Sequence, residues 1–169
     1  PYPGGPVIDR LAGQGDPLAF PFGELRTQGR PEFSFSGYKT AVKTHMQQAG
    51  IEPLAAPDQP PPQPLVDLVA SLRHAVVREL VRRTRAAIDE DRPRSLVLAG
   101  GVAANRLLRE RIRDLADEKG LALSIPPMRY CGDNAAMIAH AGAPRLARGE
   151  NDVESLDASA HLPLGGEEA

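Results

Sequence analysis

Apolar residues recur at intervals of three and four over much of the chain, a spacing typical of amphipathic helices. The longest such stretch covers residues 65–90, and its apolar stripe contains Leu65, Leu68, Val69, Leu72, Val76 and Leu80. Similar but shorter stretches predict helices within residues 7–15, 38–48, 103–119 and 134–146. The chain is therefore predicted to be rich in helix, with one long helix near its middle.

Two short apolar runs, residues 95–99 and 121–125, predict β-strands. The first run ends at Gly100-Gly101 and the second at Pro126-Pro127. An alternation of aromatic and small polar side chains over residues 33–36 predicts a further strand. The order strand, glycine turn, helix, strand, loop, helix indicates parallel pairing through right-handed crossovers, and so an α/β fold.

Prolines and glycines mark three stretches without regular structure. Residues 16–31 are interpreted as an irregular loop, and residues 49–64, with six prolines, as a solvent-exposed linker. The residues after Gly149 are expected to form a loosely ordered tail.

Composition fits one globular domain, since 41% of the 169 residues are hydrophobic and 25% are charged. The formal net charge of −2 provides no whole-chain positive field, so any contact with nucleic acid must be local. A single cysteine, and the lack of a signal peptide or long apolar run, favour the cytoplasm and argue against a membrane span. The start at Pro1, without methionine, predicts a piece of a larger gene product.

Gly100 and Gly101 stand at the carboxyl end of a predicted strand, where open α/β sheets bind ligands. Residues without Cβ let the backbone approach a ribose or phosphates, and Asn105 could hydrogen-bond a sugar hydroxyl or a base edge. A turn that needs glycine only for its geometry is the simpler alternative, and the glycine pair alone favours it.

Asp133 follows the second predicted strand and precedes the last main helix. Its carboxylate could be a metal ligand or could cap that helix, and spacing alone favours capping. Cys131 could in principle ligate a metal as well, but a lone cysteine usually fills the core, and the sequence assigns it no role. No complete metal site is predicted, because the four histidines form no ligand pair: His45, His74, His140 and His161.

Two further features have competing interpretations. The run from Ser36 to Thr40 lacks the spacing of a phosphate-binding P-loop, and Lys39 faces either a phosphate or solvent. A group of arginines could follow an RNA backbone, although an ordinary solvated helix face is favoured. The group consists of Arg73, Arg78, Arg82, Arg83, Arg85, Arg92 and Arg94.

Four motifs occur in order within residues 1–149, and together they resemble the tRNA N6-adenosine threonylcarbamoyltransferase family. The motifs are Tyr-Pro-Gly-Gly-Pro at 2–6, Phe-Ser-Phe-Ser-Gly-Tyr-Lys-Thr at 33–40, Ala-Gly-Gly-Val-Ala-Ala-Asn-Arg at 99–106, and Cys-Gly-Asp-Asn-Ala-Ala-Met-Ile-Ala at 131–139. The resemblance implies a two-lobed actin- and Hsp70-like ATPase fold. Residues 1–150 would be most of its second lobe, incomplete in this chain, and residues 151–169 a tail.

The resemblance also implies a role for each motif. Gly5 and Asn105 would contact the adenylate part of the substrate, and Gly100 and Gly101 would shape that pocket. Asp133 would ligate one divalent ion, Fe or Zn. With this resemblance the metal interpretation of Asp133 overtakes capping. The other two ligands would be histidines of a His-x-x-x-His motif that this chain lacks.

The implied reaction is transfer of a threonylcarbamoyl group from threonylcarbamoyl-AMP to N6 of the adenosine beside the anticodon of tRNA. The implied protein partners are a paralogous dimerisation subunit and a small ATPase. Two departures from the family pattern stand out: Gly132 replaces a usual threonine, and Tyr38 a usual leucine. Glycine before Asp133 would give the metal loop more backbone freedom.

Two other functions compete. A non-catalytic paralogue of the same fold would only support the transferase, and retention of Asp133 counts against it. A carbamoyl transferase or sugar kinase of this ATPase fold would keep the Gly100-Gly101 turn but would not be expected to carry the motif at residues 2–6.

Overall fold

The computed structural model of the chain describes residues 4–25, 35–54, 56 and 59–150. These ranges contain five α-helices and two β-strands, which confirms the α/β class. In chain order they are α1 (Gly4–Ala12), α2 (Ser36–Ala49), α3 (Gln63–Asp91), β1 (Ser95–Val97), α4 (Arg106–Lys119), β2 (Ala122–Ser124) and α5 (Ala135–Ala147). The chain divides into two compact units, residues 1–132 and 133–169.

The long helix predicted over residues 65–90 is confirmed as α3. It begins earlier than predicted because Pro64 fits the first turn of a helix, where the missing N–H costs nothing. One half of α3 packs into a cluster made by Phe22, Tyr38, Ile51, Leu68 and Ala75. The other half packs into a cluster made by Val77, Ile88, Leu108, Ile112 and Leu115. α3 is therefore the element that both hydrophobic clusters share.

The two predicted strands pair in parallel, with Leu96 opposite Leu123. α4 connects them and is capped after Lys119 by Gly120, whose φ of +66° lets the chain turn back while its N–H bonds to the last carbonyls of the helix. Leu96 and Leu123 pack against the second cluster, whereas Val97 on the opposite face is 63% exposed. β1 and β2 thus cover one side of the α3–α4 core.

Two predictions about irregular segments need correction. Ser36 is not the end of a strand but the first residue of α2, while Phe33 and Ser34 lie outside the described residues. The segment interpreted as a linker is shorter than residues 49–64, because α2 extends to Ala49 and α3 begins at Gln63. It is also not solvent-exposed throughout, since Ile51 is buried in the first cluster.

The interpretation of the α3 arginines as a solvated face is wrong for two of them. Arg83 is 5% exposed and donates from Nε to Oε1 of Glu79 at 2.5 Å. Arg73 donates from Nη1 to the carboxylate and the carbonyl oxygen of Asp9, both at 3.0 Å, and from Nη2 to the carbonyl of Ala12 at 3.1 Å. The first pair lies inside the core, and the second anchors α1 on α3.

In the second unit the described residues form α5 and its flanks. Every residue of α5 is exposed within the described structure, including His140, which was predicted to lie on a helix surface. No helix in the described ranges is both long and apolar enough to cross a membrane.

Candidate functional site

The turn after β1 has a backbone that requires glycine at one position. Gly100 has a φ of +85°, which side chains with a Cβ adopt only with strain. Gly101 has no such φ, and a Cβ there would meet nothing within 4 Å. Gly100 therefore sets the geometry of the turn, and Gly101 leaves open space beside it, at the sheet edge where ligands of α/β folds bind.

Asn105 closes this turn and starts α4. Its Oδ1 accepts a hydrogen bond from the N–H of Leu108 at 3.1 Å, which is an N-cap bond. Its Nδ2 donates to no described residue, so this amide nitrogen is the atom of Asn105 that can reach a ligand. Helix capping and ligand binding would thus use different atoms of the Asn105 side chain.

Arg109 ties this turn to the loop after β2. Its Nε donates to the carbonyl of Ala103 at 2.6 Å, and its Nη2 contacts the sulfur of Met128. Sequence analysis did not single out Arg109, and its only signal is its position one helical turn after Asn105. The contacts make it a positioning residue for the Gly100–Asn105 turn.

The loop after β2 is held by Cys131, which is 4% exposed. The thiol lies 3.6 Å from the carbonyl oxygen of Pro126 and 3.8 Å from that of Pro127, as a weak donor to both. Cys131 is therefore buried, as lone cysteines usually are, although the sequence alone assigned it no role. Its burial ties the end of the loop to the loop's start.

Asp133 does not cap α5, so the capping interpretation is wrong. The neighbouring Asn134 is the N-cap, and its Oδ1 accepts from the N–H of Met137 at 3.1 Å. The Asp133 carboxylate is exposed and makes no hydrogen bond or ion pair with a described residue. An exposed carboxylate that the helix does not use is suited to be one hard oxygen ligand of Fe or Zn.

A complete metal site needs more ligands than Asp133. Within the described ranges, no group of three or more His, Cys, Asp and Glu side chains is placed to hold an ion. The donor set present fits a shared site, in which this chain would supply one carboxylate.

Gly5 lies in the first turn of α1, where it is exposed and a Cβ would meet nothing within 4 Å. Gly100, Gly101 and Asn105 share one turn, but no hydrogen bond among the described residues joins Gly5 to that turn. Pro1 to Pro3 lie outside the described residues.

A family model described as tRNA N6-adenosine threonylcarbamoyltransferase matches residues 1–140. The chain belongs to this family. Similar proteins of that name occur in Trichlorobacter lovleyi, with 44% identity over 164 residues, and in Anaeromyxobacter dehalogenans, with 46% identity over 160 residues. The matches cover 96% and 94% of this chain and 46% of each relative. The chain thus spans about half the length of the curated relatives it matches.

The tyrosine that departs from the threonylcarbamoyltransferase pattern belongs to the core. Tyr38 is 3% exposed, its ring packs edge-on against Phe22, and its hydroxyl donates to the carbonyl of Ala75 at 3.4 Å. Burial, and after it the charge of Glu79, raises the pKa of the Tyr38 phenol. The hydroxyl that leucine lacks is therefore satisfied, and this departure affects packing rather than the site.

The second departure from the family pattern is Gly132, which has open space around its Cα. A Cβ at this position would touch nothing within 4 Å, and its φ is not in the left-handed region. The threonine that the resemblance implies at this position therefore fits the same backbone.

Proposed function

We propose that the chain is part of an enzyme that transfers a threonylcarbamoyl group from threonylcarbamoyl-AMP to N6 of the adenosine beside the anticodon in tRNA. The observation that carries the proposal is the Gly100–Asn105 turn. It stands at the carboxyl edge of a parallel strand pair and keeps one amide donor free, in a chain that belongs to the tRNA N6-adenosine threonylcarbamoyltransferase family.

In this proposal the turn holds the adenylate. The open space at Gly101 admits the ribose and phosphate, and Nδ2 of Asn105 donates to a sugar hydroxyl or a base edge. Gly5, at the first turn of α1, contacts the same nucleotide. Arg109 keeps the turn in place, which makes it a positioning residue rather than a catalytic one.

The reaction is an acyl transfer. The tRNA N6 forms a bond to the carbamoyl carbon, the bond from that carbon to the phosphate oxygen breaks, N6 loses a proton and AMP leaves. Asp133 would hold one Fe or Zn ion together with two histidines from outside this chain, and the bound ion would supply Lewis-acid polarisation. The role of this chain is to bind and orient the substrate so that the reacting atoms meet.

Three further assignments belong to this proposal. The chain is most of the second lobe of an actin- and Hsp70-like fold, the enzyme works in the cytoplasm, and its partners are a paralogous dimerisation subunit and a small ATPase. The α/β topology and family membership support the first assignment, and the resemblance of the motifs to the family implies the other two.

The test uses the protein expressed from its complete gene, with threonylcarbamoyl-AMP and a tRNA transcript as substrates. Wild type should form threonylcarbamoyladenosine in the tRNA, detected by mass spectrometry of its nucleosides. Gly101→Val should raise the KM for threonylcarbamoyl-AMP, because the added side chain fills the space that the nucleotide needs. Gly132→Thr is the matched control, since it also adds a side chain into open space, and it should keep activity. A wild type that forms no product with these substrates rejects the proposal.

A further inference from the structure

An open groove of about 320 Å³ lies between α3 and α4. Apolar side chains and arginines line it, and among the described residues no carboxylate does. The lining residues are His74, Val77, Arg78, Val81, Arg82, Arg85, Leu107 and Arg111.

The arginines form a row. Arg78, Arg82 and Arg85 are spaced by four and three residues along α3, so they share one face of the helix at axial intervals of about 6 and 4.5 Å. Arg111 comes from α4.

Two arginines of the row are held by carboxylates. Arg82 donates from Nε and Nη2 to the two carboxylate oxygens of Glu79, at 3.0 and 2.8 Å. Arg85 donates through both terminal nitrogens to Glu118. These bidentate bonds fix the planes of the two guanidinium groups.

The other two arginines are held less firmly by carboxylates. Arg78 donates to the carbonyl oxygen of Phe22 at 2.7 Å and has no described carboxylate within ion-pair distance. Arg111 is 56% exposed and forms an ion pair with Asp114 at 3.7 Å, and an exposed pair of this length contributes little. The pKa of His74 is lowered by burial first, and then by Arg78 and Arg111, as expected for a positive potential in the groove.

We propose that this groove binds the ribose-phosphate backbone of tRNA. The inference rests on the proposed function, which makes tRNA a substrate, and adds the surface that holds it. Guanidinium groups bind phosphate oxygens through paired N–H donors, and the apolar floor packs against ribose carbons. A chain with a net charge of −2 has to concentrate positive charge locally to hold a polyanion.

The test measures the affinity of a tRNA transcript for the protein expressed from its complete gene, over a series of salt concentrations. Each lost phosphate contact should lower the slope of log affinity against log salt by about one. Arg111→Gln should therefore lower it by about one, and Arg78→Gln/Arg111→Gln by about two, with weaker binding in both. Arg113→Gln is the matched control, because Arg113 is equally classed as exposed on α4 but does not line the groove.

The outcomes separate the two proposals. A wild type that neither binds nor modifies tRNA overturns both the proposed function and the groove assignment. A wild type that does both, with variants of unchanged affinity and slope, overturns the groove assignment alone. If Arg113→Gln weakens tRNA binding as much as Arg111→Gln does, the groove assignment is also overturned. A double variant that keeps tRNA binding but no longer binds a protein partner overturns it as well. Arg111 is exposed, so its single variant tests the assignment without disturbing the core.

Discussion

At the scale of single residues, Asn105 performs two tasks that substitution can separate. Asn105→Asp keeps an oxygen to cap α4 but loses the Nδ2 donor, whereas Asn105→Ala loses both. We expect Asn105→Ala to lower the free energy of unfolding by about 1 kcal/mol and Asn105→Asp to leave it nearly unchanged. Both should weaken AMP binding by several-fold to about a hundredfold, because a lost hydrogen bond costs about 0.5–3 kcal/mol depending on whether its partner stays buried.

Calorimetric titration of AMP, with metal content measured on the same samples, tests both parts of this prediction. Unchanged AMP affinity in Asn105→Asp would reduce the residue to a helix cap. Loss of metal together with weaker AMP binding would show that the nucleotide and metal subsites are not separable.

Asp133 is expected to matter for turnover and not for folding, because its neighbour Asn134 caps α5. Asp133→Asn and Asp133→Ala in the protein from the complete gene should lower tRNA modification by orders of magnitude, with the melting temperature unchanged. Asn134→Ala is the reference for a lost cap, and should cost about 1 kcal/mol of stability. If Asp133→Asn retains full turnover per folded molecule, Asp133 is not a metal ligand.

Tyr38 makes the free energy of unfolding depend on pH in the alkaline range. Because burial raises the pKa of its phenol, the folded protein keeps this proton at pH values where the unfolded chain loses it. The resulting stability is fully present below about pH 10 and is lost as the pH rises through the raised folded value. Wild type should therefore lose unfolding free energy more steeply than Tyr38→Phe above about pH 10 in urea titrations. Parallel curves would contradict this.

At the scale of elements, α3 depends on a charge pair inside the core. Glu79 is 1% exposed and accepts from Arg82 and Arg83, so Glu79→Ala would leave the buried Arg83 without its carboxylate. We expect a loss of about 3–5 kcal/mol in urea unfolding, and a smaller loss for Glu79→Leu/Arg83→Met, which removes both charges. Glu118→Ala breaks an exposed pair with Arg85 and should change little. A double variant as unstable as Glu79→Ala would show that the charge itself is not the cause.

Sequence periodicity predicted the long elements because their apolar spacing recurs over several helical turns. In α3 the apolar stripe from Leu65 to Leu80 covers about four turns, and the predicted bounds of the helix differ from the observed ones by one or two residues. Four alternating residues at 33–36 carry far less information, and the helix that begins at Ser36 overrides the strand signal there. The pattern of charged residues also does not show which of them are buried. The position of Arg83 inside the core was therefore not predictable from its being an arginine.

The candidate site was predicted in part. The glycine turn was found because strand, Gly-Gly and helix are adjacent in sequence, but the choice between Asp133 and Asn134 as a cap depends on one residue of register. The contacts of Arg109 join segments that are 6 and 19 residues away, and no local pattern encodes them.

At the scale of the whole molecule, the chain supplies one carboxylate to the proposed metal site. The isolated 169-residue chain should therefore neither hold Zn or Fe tightly nor modify tRNA, because one carboxylate with water is a far poorer chelate than a three-residue site. Metal titration and a modification assay on the purified chain check this. Tight, stoichiometric metal binding by the isolated chain would contradict the shared-site proposal.

Because Cys131 is buried, the rate at which its thiol is alkylated reports how often the loop that precedes Asp133 opens. It is the only thiol of the chain, and its sulfur is enclosed against two proline carbonyls. An alkylating reagent can reach it only when this loop opens, so the rate of labelling measures the opening frequency without any introduced probe. If nucleotide binding at the Gly100–Asn105 turn is transmitted through Arg109 and Met128, AMP should slow the labelling of wild type but not of Arg109→Gln.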